Sequence, residues 1–137
     1  MAMAFTYDHG YDFRSIAPGC IRQVICTWTS DGSGDASGTT DKIVGELMKG
    51  VTNPGTAAPT ADYDITLTDD DGADLLGNSF DDLVDRHTSN TESVDFFLND
   101  GTTSNGARPC VCGPITVTVA NAGASKEGVL RLFYKVS

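Results

Sequence analysis

Tyr63-Asp64-Ile65-Thr66-Leu67-Thr68-Asp69 alternates without a break. Tyr63, Ile65 and Leu67 share one face; Asp64, Thr66 and Thr68 share the other. That two-residue period is the mark of a half-buried strand. Asp70-Asp71-Gly72 supplies the left-handed position of a tight turn, and Ala73 to Leu76 is expected to return beside the strand. Pro114 to Asn121 alternates in the same way, with Ile115, Val117 and Val119 inward. Asn121 to Gly128 reads as a hairpin connection into Val129 to Val136. There Leu130, Leu132, Tyr134 and Val136 share one face, and Arg131, Phe133 and Lys135 the other.

Upstream, Cys20 to Ser30 is rich in β-branched and aromatic types and reads as a strand. Asp31 to Gly38 has few apolar groups and is expected to be a mobile loop. Thr39 to Thr52 carries two periods at once. Ile43, Leu47 and Val51 recur every fourth residue, whereas Val44, Glu46 and Met48 alternate; Gly45, Gly50 and the flanking Thr residues favour a strand. Asn53 to Thr60 is a turn-rich connection. Residues 79–90 fit one helical turn or a long loop. Thr91 to Asn99 reads as a strand with Val94 and Phe96 opposite Phe97, and a polar loop runs on to Gly106. Six or seven short strands between turn signals predict an all-β chain, a single-domain antiparallel β-sandwich or jelly-roll-like barrel. The expected core is Ile25, Trp28, Ile65, Leu67, Phe96, Val117, Val119, Leu132 and Tyr134.

Composition agrees. In 137 residues, 9 Lys and Arg oppose 19 acids, for a net charge of −10. Of those acids 16 are Asp and three are Glu, beside 16 Thr and 15 Gly, so turn and strand formers prevail over helix formers. The acidic balance argues against nucleic acid and against anionic membranes as partners. The first residues have neither the basic nor the apolar region of a secretory signal, and no run approaches a membrane span. A chain made in the cytoplasm is expected to keep Cys20, Cys26, Cys110 and Cys112 as reduced thiols.

Phe5, Tyr7, Tyr11 and Phe13 crowd four of eleven aromatics into a segment ending at Pro18-Gly19. Residues 1–19 are therefore read as an N-terminal arm, and 20–137 as the β-sandwich domain. Such an aromatic arm packs on its own domain as a first strand or on another subunit. Phe5, Tyr7, Tyr11, Phe13 and Arg14 are the candidate partner-binding residues.

No constellation of residues carries catalysis. Neither a nucleophile elbow nor a metalloprotease helix motif, phosphate loop or dinucleotide fingerprint occurs. His9 and His87 are the only histidines, and the chain is read as no enzyme and as needing no cofactor. Cys110-Val111-Cys112 has too short a spacer for a zinc pattern; buried or partly buried thiols acting as small apolar residues are expected. Asp69 to Asp74 fails as a calcium loop, because setting Gly72 at the sixth position puts Leu67 first and Asn78 twelfth, where a glutamate is needed; it reads as an Asp-Gly hairpin turn with solvated carboxylates. Trp28 with Tyr63 or Tyr134 is a possible sugar platform, but a lone Trp on a strand is more often core.

Lys42-Ile43-Val44-Gly45, the stretch Pro59 to Gly77, and Ile115 to Gly123 with Gly128 to Tyr134 resemble small virion proteins of tailed bacteriophages. The likeness covers about residues 20–136. It implies a head cement or decoration protein on the outer surface of the capsid. The implied partners are the major capsid protein and further copies of the chain itself, as homodimer or homotrimer. A neck or tail component and a carbohydrate-binding β-module are the alternatives.

Overall fold

A computed structural model describes residues 2–7, 21–76, 86, 90–96 and 107–136. Among these there are nine strands and no helix: β1 (Ala2–Tyr7), β2 (Ile21–Thr29), β3 (Ala36–Thr39), β4 (Ile43–Pro54), β5 (Asp64–Thr68), β6 (Glu92–Asp95), β7 (Cys110–Gly113), β8 (Thr116–Ala120) and β9 (Glu127–Val136). They form two antiparallel sheets. The larger runs β1-β2-β9-β4-β6, with β7 also on β4; the smaller runs β3-β8-β5. The β-sandwich expected from the alternating segments is what forms.

The core lies between the sheets and follows the alternation. Val24, Cys26 and Trp28 of β2 and Leu130 and Leu132 of β9 face Ile65 and Leu67 of β5 and Val117 and Val119 of β8, all essentially without exposure. Every expected core residue is buried except Ile25. Its neighbours Val24 and Cys26 take the inward positions, and Ile25 is half-buried on the outer face.

The double period of the β4 segment has a physical cause. Ile43, Gly45 and Leu47 face inward, and then the inward set resumes at Gly50 and Thr52. Leu47 pairs with Tyr134 and Lys49 with Phe133, so Met48 is an extra residue, a β-bulge that shifts the alternation by one. The spacing of four between Ile43 and Leu47 is two strand steps, not a helical turn. The bulge also marks where the far edge of β4 changes partner. β7 pairs with Ile43 to Glu46, and β6 with Lys49 to Thr52. The Met48 carbonyl accepts from Phe96 N at 3.0 Å and from the Arg108 guanidinium at 2.5 Å, which also donates to Phe96 O at 3.2 Å.

Two expectations from sequence are corrected. Residues 36–38, read as the end of a mobile loop, join Thr39 in β3, because Ala36 fills the core and the strand pairs with β8. Val117-Thr118-Val119 and Val129 to Val136 are not a hairpin pair. β8 pairs with β3 and β5 while β9 pairs with β2 and β4, so residues 121–126 cross between sheets. That crossing is pinned by Ser30, whose hydroxyl donates to Gly123 O at 2.5 Å and accepts from Lys126 N at 2.9 Å.

Candidate functional site

The N-terminal segment contains its own alternation. Met3, Phe5 and Tyr7 are half-buried and packed on the core, while Ala2, Ala4 and Thr6 face out. Met3, Phe5 and Tyr7 stand beside Trp28, Cys26 and Val24 of β2. Met3 and Phe5 reach across to β3, where a Cβ on Gly38 would come within 2.8 Å of Met3 Sδ and 2.9 Å of Phe5 Cε2. Tyr7 Oη accepts from Asp41 N at 2.7 Å. Of the two placements expected for the arm, on its own domain as a first strand or on another subunit, residues 2–7 take the first: Phe5 and Tyr7 pack half-buried on their own sandwich, and β1 is the edge of the larger sheet. Tyr11, Phe13 and Arg14 lie outside the described residues.

The two outer faces of the sandwich differ in chemistry. The smaller sheet presents Ser37, Thr39, Asp64, Thr66, Thr68, Thr116 and Thr118, with Thr39 and Thr116 hydroxyls 3.1 Å apart. The larger sheet presents Ile21, Ile25, Val44, Val51, Val129 and Phe133. Lys49 Nζ lies 5.0 Å from the Phe133 ring centroid, a cation–π contact. The apolar groups of this outer face went unread in the sequence, because on β2 Ile21 and Ile25 alternate with Gln23, Thr27 and Thr29.

Cys110 and Cys112 also point outward from β7, both exposed. This corrects the expectation of buried thiols: Val111 takes the inward position between them. Cys26 is buried, and burial pushes its thiol up to about 12. Beside β7 a cleft of about 160 Å³ is lined by Asp69, Asp70, Asp71, Leu75 and Cys110 to Pro114. Its acids act locally. Asp69 Oδ1 accepts from Asp71 N and Ala73 N, each at 2.9 Å, and Gly72 takes φ 81° at the turn. The turn forms as read, but the return from Ala73 shrinks to one bridge, Thr68 to Asp74. Asp31 repeats the device: amides of Asp35 and Ser33 bond its carboxylate and hold it below the usual range. Among the described residues no three metal-ligating side chains converge.

Trp28 is 1% exposed, with its ring centroid 5.6 Å from that of Tyr63, itself 1% exposed. Both are core, and Tyr134 is buried too, so these three rings form no platform for a sugar.

No protein-family model and no curated protein matches the chain. Among solved structures, a chain from the cyanophage Pam1 capsid asymmetric unit matches with TM-score 0.51 and 17% identity, over 93% of this chain and 90% of that one. The fold resembles that of a phage capsid chain. A structure of carbohydrate-binding modules from the β-sandwich superfamily matches with TM-score 0.44 and 13% identity, over 95% of this chain and 51% of that one.

Proposed function

We propose that this chain is a cement or decoration protein of a tailed-bacteriophage head. It binds the outer surface of the major capsid protein lattice between capsomers and stabilises the assembled shell. The observation that carries this reading is the likeness of fold, over nearly the whole of both chains, to a chain of a phage capsid asymmetric unit. A protein that binds the lattice and not its dissociated parts stabilises the lattice by its binding free energy. Symmetric repetition of the site multiplies that effect. The role is structural and non-catalytic. With Phe5 and Tyr7 engaged in their own sandwich, Tyr11, Phe13 and Arg14 are the arm residues assigned to a partner subunit. Replacing these three with Ser, Ser and Ala is expected to lower occupancy on particles while β1 and the sandwich stay intact.

Imaging of particles with the tagged protein tests the reading directly. Copies spread over the whole shell are expected, and shells lacking the protein should rupture at lower temperature. A single ring at one vertex would move the protein to the neck or tail, and absence from particles would remove the reading altogether.

A further inference from the structure

Among the described residues, the exposed large apolar side chains lie on one face. Ile21 and Val44, 53% and 45% exposed, are the exposed large hydrophobics among the described residues, and both lie on the outer face of the larger sheet. Register sets Val44 beside Cys112, and Glu46 beside Cys110. Two free thiols facing solvent are unusual, because cysteine is among the most buried residue types. Each of these features is what a covered face would show before its partner arrives.

Size and charge indicate what covers it. β2, β9 and β4 run nine, ten and twelve residues. At about 3.3 Å per residue and about 4.8 Å per strand, five strand positions make a face of roughly 700 Å². A stable two-protein contact takes about 800 Å² from each side. The chain carries −10 overall, yet this face carries Lys49, Arg131 and Lys135 against Glu46, Asp95 and Glu127, and so balances. Lys135 stands beside Glu46, and Lys49 beside Asp95. Most of the described acids lie in the turns, where two copies meeting would bring like charges together; on this face they do not. A partner of a single sign leaves half of these charges desolvated and unpaired. A second copy turned about a twofold axis offers both signs and the same apolar groups, the self-complementarity that an isologous contact requires.

We propose that the outer face of the β1-β2-β9-β4-β6/β7 sheet is the contact between two copies of this chain, packed sheet on sheet about a twofold axis. This stands on the face itself and not on the capsid reading, so it is tested on the purified chain without particles. Sedimentation between about 1 and 100 µM is expected to show a monomer–dimer equilibrium. Peptide-resolved maleimide labelling of Cys110 and Cys112 should slow as the dimer fills, while Cys26 stays unlabelled in both states. Ile21→Glu with Val44→Glu, at positions the fold leaves exposed, should weaken the dimer by about tenfold or more without changing the melting temperature of the monomer. Thr66→Glu with Thr118→Glu, on the opposite face, should leave it intact. A monomer across the range, with labelling independent of concentration, overturns the proposal. So does a dimer indifferent to the Ile21 and Val44 changes. Thiols protected only when capsids are added would assign the face to the lattice instead.

Discussion

Cys26 sits on the inward face of β2 with no exposure, and burial holds its thiol near 12 against a usual 9.0. An acid with a raised native pKa keeps its proton in the folded state after the unfolded chain has lost it. The stabilising effect is complete below about pH 9 and is lost as pH rises toward 12. Three units correspond to stability on the order of 4 kcal/mol across that window. Burial raises Tyr63 as well, which adds a loss of the same sign at higher pH. Urea midpoints should therefore fall steeply above pH 9, and Cys26→Ala should flatten the first part of that fall. A parallel fall in both proteins would place the alkaline transition elsewhere. Gly45 is a different kind of necessity. Its φ is 154°, and a Cβ there would stand 2.1 Å from the Lys135 carbonyl oxygen of β9, which is backbone and cannot swing away. Gly45→Ala is expected to cost about 3 kcal/mol or more, read as a lowered melting temperature.

Strands with one parity from end to end were legible: β5, β8 and β9 lie where their alternation puts them. What was hidden depended on tertiary partners. β3 has one buried apolar side chain, Ala36, and takes its identity from the β8 it pairs with. β7 places two cysteines outward, against the tendency of the residue type. The crossing from β8 to β9 looks local in sequence, but its direction is set by Ser30, more than ninety residues away. The Met48 bulge mixed two periods in β4, and only the paired strand reveals the inserted residue. The same bulge yields a test. Arg108 ties the Met48 and Phe96 carbonyls together where β4 exchanges β7 for β6. Arg108→Met keeps the apolar stem and removes the donors. A loss of about 2 kcal/mol is expected, from hydrogen bonds made by a charged group. Amide exchange should speed at Phe96, whose N–H also bonds the Met48 carbonyl. Unchanged exchange there would mean the bulge holds without the guanidinium.

For the molecule as a whole, the described acids gather mainly in the turns, at Asp31, Asp35, Asp41, Asp62 and Asp69 to Asp71, whereas the broad outer face of the larger sheet is charge-balanced. The candidate site was legible only in part. An aromatic N-terminus was visible, but that its alternation packs Phe5 and Tyr7 half-buried against their own core was not, and the apolar groups of the outer face are apparent only when strands far apart in sequence are laid side by side. Since that face holds a balanced set of charges around apolar side chains, the dimer should persist in about 0.5 M salt, beyond the reach of screening for exposed pairs; dissociation by salt alone would show that electrostatics dominate the contact. The sandwich also carries its own optical reporter. Trp28 is the single tryptophan. Its indole lies so close over Gly128 that a Cβ there would fall 2.4 Å from Cζ2, with Tyr63 on hand as an energy donor. Its emission should stay blue while the sheets are together and move red only when they part. Docking on the outer face leaves that environment alone, so one native fluorophore distinguishes a variant that has lost its partner from one that has lost its fold.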